Sequence, residues 1–124
     1  DGNAAALGCL NQLVTDALRH VAGCNAYLAL LTEPTVFFFC AVPQAMAIAT
    51  MAHVFNNPTV FTGVVKVTKA EACEAMAACK DMKTYTRWAR RYTSAILARC
   101  QEDPVRFAEA LPVVTAADEA FASA

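Results

Sequence analysis

The chain is poor in residues that make turns and in residues that act as nucleophiles or bases. Its 124 residues include four glycines, five prolines, two histidines and two serines. Few turn residues together with abundant alanine favour helices over a sheet-rich fold. No short motif links a nucleophile to a base, and Cys73 and Cys79 are too far apart along a helix for a metal knuckle. The sequence therefore predicts an all-α protein that is not an enzyme and that has no metal or cofactor.

The chain also lacks an excess of charge of either sign. Ten basic and eleven acidic residues give a net charge of −1, which provides no general attraction for nucleic acid or for an anionic membrane. Hydrophobic residues make up 57% and charged residues 17%, which excludes a disordered chain. The length suits a single domain over residues 1–124.

Charge is absent from the stretch 34–65, which holds five of the seven phenylalanines. Such a segment is expected inside the fold, in lipid or against a partner. Residues 36–55 are long enough to span a membrane, but Pro43 near their middle and the lack of flanking Lys or Arg clusters favour a buried central helix over about 43–55. The segments 35–42 and 59–67 could instead pair as two strands, which would make a small α+β fold.

Two long amphipathic helices are predicted to cover this stretch. Apolar residues recur at intervals of three and four and predict a helix over about 4–31. A capping box formed by Thr68 and Glu71 begins a second helix over about 69–102. The inward stripe of the second helix consists of Ala75, Cys79, Met82, Tyr85, Ala89, Tyr92, Ile96 and Cys100. Short C-terminal helices are expected after Asp103 and after Pro112, which completes a compact helical bundle.

Six cysteines in so short a chain favour disulfides and a secreted or extracellular location. Two cysteines on one helix are too far apart to bond, so the three on the second long helix must pair with the three from the first half. This reduces the fifteen connectivities of six cysteines to six. Antiparallel packing of the long helices favours the pairs Cys9–Cys100, Cys24–Cys79 and Cys40–Cys73.

The apolar content is high for a small disulfide-bonded domain, and it predicts a cavity for a fatty acid, a sterol or another lipid. The residues expected to line this cavity are Phe37, Phe38, Phe39, Met46, Met51, His53, Phe55, Phe61, Met76 and Met82. The expected function is that of a secreted lipid-binding or carrier protein. The alternative is a secreted interaction protein, which would be an effector, a ligand or a structural homodimer whose apolar surplus forms an interface. A membrane-active protein is a third hypothesis.

Basic side chains recur on the side of the second long helix that faces away from its apolar stripe. They are Lys83, Arg87, Arg90 and Arg91. A helix face of this kind is either ordinary solvated surface or a dock for an anionic headgroup, a carboxylate or a partner protein. The expected partners are a small hydrophobic ligand, with a homodimer or a membrane surface left open. Neither nucleic acid nor a membrane-spanning segment is expected.

Overall fold

The computed structural model describes residues 2–123, which form six α-helices and one 3-10 turn. The helices are α1 (Gly2–Leu18), α2 (Val21–Ala29), α3 (Pro34–Val54), α4 (Lys69–Ala78), α5 (Met82–Glu102) and α6 (Ala110–Ala122), and the 3-10 turn covers Pro58–Phe61. No strand occurs in this range. The all-α prediction is confirmed, and the alternative with strands at 35–42 and 59–67 is wrong.

The helix α5 lies at the centre of the packing. It contacts α3, α4 and α6, and α6 in turn contacts α1 and α2. Every member of the predicted inward stripe except Met82 is buried, so this stripe is confirmed. The Tyr85 ring stands edge-on to Phe37 of α3 and to Phe121 of α6, with ring centroids 6.3 and 6.0 Å away. The central core therefore joins three helices around one tyrosine.

Each of the two predicted long helices is divided into two. The first ends at Leu18 and resumes at Val21. The second stops at Ala78, and Asp81 then caps α5 by accepting a hydrogen bond from the Thr84 N–H at 2.7 Å. An N-terminal cap of this kind starts a new helix, so the continuous helices over 4–31 and 69–102 are corrected to four shorter ones.

The capping box at the start of α4 is confirmed. The Thr68 hydroxyl accepts from the backbone N–H of Glu71 at 3.1 Å, and the Glu71 carboxylate accepts from the backbone N–H of Thr68 at 3.0 Å. Both bonds satisfy donors that the first turn of a helix leaves unpaired.

The central helix begins at Pro34 rather than at Pro43. Glu33 caps it by accepting from the Thr35 N–H at 3.0 Å, and Pro34 occupies the first turn, which proline favours. Pro43 lies inside the helix, where it cannot donate a backbone hydrogen bond. By length and hydropathy α3 could cross a membrane, and 33% of its most apolar window is buried within the bundle.

The C-terminal region contains one helix rather than two. Residues 104–109 form turns, which the Asp103 carboxylate supports by accepting from the Arg106 N–H at 3.2 Å. The last helix begins at Ala110 and contains Pro112 in its first turn, where a missing N–H leaves no bond unmade. The expected helix after Asp103 is therefore corrected to a turn, and the expected start after Pro112 moves to Ala110.

Candidate functional site

A groove of about 630 Å³ lies between α2 and α3. One side is formed by the end of α1 and by α2, and the other side is formed by the first half of α3. The residues lining the groove are Arg19, His20, Gly23, Cys24, Tyr27, Leu28, Phe39, Cys40, Pro43 and Gln44. A volume of this size is typical of a small-molecule site.

The groove has an apolar part and a polar end because of how its helices are built. The break between α1 and α2 places Arg19 and His20 at one end, while α3 contains no Asp, Glu, Lys or Arg and presents Phe39 and Pro43. Gly23 contributes no side chain, and a Cβ atom added there would meet nothing within 4 Å. The groove is therefore open along α2.

Apolar side chains on this side of the molecule are unusually exposed. Phe39 is 79% exposed, Leu30 77% and Tyr27 56%. Neighbouring exposed apolar residues on a folded protein mark a surface that binds a ligand or another polypeptide.

The structure does not bring together the ten residues predicted to line a lipid cavity. Only Phe39 borders the groove between α2 and α3. Phe37 packs in the core, and Phe55 packs on Phe107 with ring centroids 5.4 Å apart. Three of the others are exposed, namely Phe38, Phe61 and Met76. Three more are partly buried against the core, namely Met46, Met51 and Met82. The last, His53, pairs with Glu71.

None of the six cysteines, all within residues 2–123, forms a disulfide. The predicted frame of Cys9–Cys100, Cys24–Cys79 and Cys40–Cys73 is therefore not supported. It depended on two continuous antiparallel helices, and both of those helices are interrupted. Cys24 and Cys40 instead line the groove from opposite sides. Cys79 is buried, and its burial raises the pKa of the thiol to about 11.

His53 belongs to a polar cluster centred on the Glu71 carboxylate. The His53 Nε2 lies 2.8 and 2.9 Å from the two carboxylate oxygens, and the Tyr92 hydroxyl donates to the same group at 2.8 Å. Burial by itself would raise the pKa of Glu71, but hydrogen bonds from Thr68, Tyr92 and His53 lower it to about 2. Burial and the nearby carboxylate raise the pKa of Tyr92 to about 12. The cluster ties α3, α4 and α5 together.

The four basic residues predicted to form an anionic dock have different surroundings. Arg90 is bound to Asp118 at 3.3 Å, and Asp118 also accepts from Thr93 and Ser94 at 2.9 and 2.7 Å. Burial would raise the pKa of Asp118, but these hydrogen bonds lower it. Arg90 therefore joins α5 to α6. The other three, Lys83, Arg87 and Arg91, are exposed.

Sequence reasoning missed most of the groove. Arg19, His20, Tyr27, Leu28 and Gln44 carry no local motif, and they meet only because α2 packs beside α3. Within the described range no three His, Cys, Asp or Glu side chains are grouped so that they could hold a metal ion.

Several squalene synthases are similar in sequence to this chain. The chain is 46% identical over 96 residues to squalene synthase LSS of Botryococcus braunii, a match that covers 77% of the chain and 21% of that protein. It is 41% identical over 92 residues to squalene synthase ERG9 of Candida albicans, covering 74% of the chain and 20% of that protein. No protein-family model matches.

Two solved structures are also similar to this chain. The complex of TcSQS with the ligand BPH1237 superposes with a TM-score of 0.90 at 36% sequence identity, covering 98% of this chain and 36% of that one. The complex of TcSQS with E5700 also gives a TM-score of 0.90 at 36% identity. The chain thus spans about a fifth of the length of these two curated relatives and about a third of the solved chains.

These relatives overturn the predicted function. A secreted lipid carrier and a secreted interaction protein are both wrong, as is the prediction that the chain is not enzymatic, because the relatives are biosynthetic enzymes. The secreted location is wrong for the same reason, and so are a carried lipid and a homodimer as partners. The mistake arose from counting nucleophiles and bases in a chain that spans a fifth of its relatives.

Proposed function

We propose that this chain is part of a squalene-synthase-type enzyme and that the groove between α2 and α3 forms one wall of the site for an isoprenoid diphosphate. The observation that supports the proposal is the TM-score of 0.90 at 36% identity over 98% of the chain. Squalene synthases act on isoprenoid diphosphates, so the groove should suit a branched hydrocarbon chain with an anionic end.

The apolar part of the groove fits the hydrocarbon. Tyr27, Leu28, Phe39 and Pro43 offer aromatic rings and branched carbon without charge. Burial of apolar surface contributes about 25 cal/mol per Å², so an isoprenoid chain gains binding energy along its whole length. Aromatic rings also accept the edges and methyl groups of such a chain without a strict orientation.

The polar end fits the anionic group. Arg19 and His20 are the basic residues of the groove, and Gln44 adds an amide. An arginine fork binds phosphate oxygens with charge-assisted hydrogen bonds. Arg19 pairs with Asp16 at 3.3 Å while both side chains are about half exposed, and such a surface pair contributes little. We expect Arg19 to exchange this contact for the diphosphate.

The described residues supply one wall only. With Phe39 79% exposed and Tyr27 56% exposed, a bound hydrocarbon would face solvent on its other side. In the solved relative, the part outside the match is about twice as long as the part that matches this chain. We infer that the equivalent of that additional part covers the groove. The single domain that the sequence predicts over residues 1–124 stays a prediction.

The test is to fill the groove with a side chain at Gly23. Since a Cβ there meets nothing within 4 Å, Gly23→Leu should fold, and replacing a helical glycine should add about 0.8 kcal/mol of stability. In the polypeptide that contains this segment, squalene formation from an isoprenoid diphosphate is followed by gas chromatography and mass spectrometry. We expect Gly23→Leu to lower kcat/KM at least about tenfold, since the leucine takes the space of the hydrocarbon.

Gly8 offers a matched control. It is also helical, its added Cβ also meets nothing within 4 Å, and it lies outside the groove. Gly8→Leu should leave kcat/KM unchanged. Equal losses in the two variants would place the substrate elsewhere, and an absence of squalene formation in the unaltered polypeptide would contradict the proposed function itself.

A further inference from the structure

We propose that a second groove, between α4 and α5, docks an acidic peptide segment of a partner protein through one apolar anchor residue. This groove measures about 360 Å³ and shares no residue with the groove between α2 and α3. Its floor is formed by Ala77, Ala78 and Trp88, and its rim carries Arg87, Arg91 and Glu74. The inference does not depend on the proposed enzymatic function.

The floor is suited to a single apolar side chain. Ala77 and Ala78 are too small to fill the space in front of Trp88, whose side chain is largely buried at 8% exposure. The indole Nε1 has no hydrogen-bond partner among the described residues. Burying one leucine-sized side chain contributes about 1.5–3 kcal/mol, and tryptophan is among the residues that most often dominate binding energy at protein interfaces.

The rim selects an acidic partner. Arg87 is exposed and, within residues 2–123, its side chain makes no hydrogen bond or ion pair. Arg91 is also exposed, and its contacts are long, at 3.4 Å to the Tyr92 hydroxyl and 3.9 Å to Glu74. Lys83 is exposed one helical turn before Arg87. Glu74 is the one acidic residue of the rim, so the groove carries a net positive charge, and arginine binds carboxylates through paired hydrogen bonds.

The burial of Trp88 favours a peptide over a lipid surface. A tryptophan that anchors a protein to a membrane places its ring among the lipid headgroups, whereas Trp88 is 8% exposed and does not project from the surface. A side chain that projects from a peptide can reach the indole while its neighbouring carboxylates meet the arginines. Arg90, which the sequence included in the same dock, takes no part because it is bound to Asp118.

Trp88 is the only tryptophan in the chain, so its fluorescence reports on this groove directly. The chain is titrated with a synthetic peptide that carries one leucine flanked by glutamates. We expect a shift in Trp88 emission and a Kd in the micromolar range. Charge reversal by Arg87→Glu or by Arg91→Glu should weaken binding at least about tenfold, and Ala77→Phe, which fills the groove and leaves both arginines intact, should do the same.

Lys69→Glu is the matched control. Lys69 is exposed on α4, and eight residues of helix place it about 12 Å from Ala77, so the same change of charge should alter Kd less than about twofold. The proposal is overturned if Trp88 emission does not respond, if Lys69→Glu weakens binding as much as Arg87→Glu, or if a peptide with serine in place of leucine binds equally well. Tighter arginine-dependent binding to vesicles that contain phosphatidylserine would also overturn it, in favour of a membrane surface.

Discussion

Replacing Glu71 should remove a large part of the stability of this chain, and the size of the loss should depend on pH. Its carboxylate accepts hydrogen bonds from the Tyr92 hydroxyl, the His53 ring and the Thr68 backbone at 2.8 to 3.0 Å. The Glu71 side chain is 16% exposed, so solvent screens these contacts only weakly. Glu71→Gln keeps the shape of the side chain and removes its charge.

The magnitude follows from the pKa. Hydrogen bonding lowers the pKa of Glu71 to about 2 from an ordinary value of 4.5, which corresponds to about 3 kcal/mol of stability when the carboxylate is ionised. Because the folded state holds this proton less tightly than the unfolded state, the contribution is complete above about pH 4.5. It is lost as the pH falls towards 2.

The measurement is urea unfolding of the unaltered chain and of Glu71→Gln, followed by circular dichroism at several pH values. At pH 7 we expect the variant to be less stable by about 2–3 kcal/mol, since hydrogen bonds to a charged group contribute about this much. Between pH 4.5 and 2 the unaltered chain should lose stability more steeply than the variant, so the difference between the two should shrink.

Glu74→Gln supplies the control for this experiment. Glu74 lies three residues further along α4 and pairs with Arg91 at 3.9 Å, with the two side chains 43% and 59% exposed. Such a surface pair contributes less than about 1 kcal/mol. The reasoning would be refuted if Glu71→Gln cost no more than Glu74→Gln at pH 7, or if the difference between unaltered chain and Glu71→Gln stayed constant down to pH 2.

Three further results are expected. Phe37→Ala should lower stability by about 3–5 kcal/mol because Phe37 is 4% exposed. Phe39→Ala should cost less than about 1 kcal/mol because Phe39 is 79% exposed. Urea unfolding measures both changes. Asp118→Asn should cost about 2–3 kcal/mol and lower Tm, because three donors on α5 converge on this carboxylate. In a thiol assay the exposed Cys9 should react in the folded chain and the buried Cys79 only after unfolding, with six thiols in denaturant; a lower count would contradict the free cysteines.

The features that sequence reasoning predicted correctly are those fixed by neighbouring residues. The capping box needs only Thr68 and Glu71, which lie three positions apart, and the part of the inward stripe that lies in α5, from Tyr85 to Cys100, needs only the period of one helix. Each can be read from a short window. The division of the second helix was missed because the apolar stripe continues from Cys79 to Met82 as it would in one helix, while Asp81 between them caps α5.

The groove between α2 and α3 required information that no window contains. Tyr27 and Phe39 belong to different helices, and they line one surface only because those helices pack side by side. The cysteine count also misled, since buried thiols and paired thiols give the same composition. Cys24 and Cys40 were assigned to disulfides, but both are free thiols that line the groove.

The three consecutive phenylalanines of α3 show why periodicity could not separate core from site. Successive residues of a helix point about 100° apart, so Phe37, Phe38 and Phe39 face three directions and are 4%, 42% and 79% exposed. A helix with one polar side would reveal which direction is inward, but α3 contains no Asp, Glu, Lys or Arg, and its few polar residues do not mark one side. A helix of that kind is typical of the interior of a larger protein. Phe39, which this bundle leaves exposed, borders the proposed substrate groove. Its exposure agrees with the comparison, because this chain matches 36% of the solved relative and the rest of such a chain can cover Phe39.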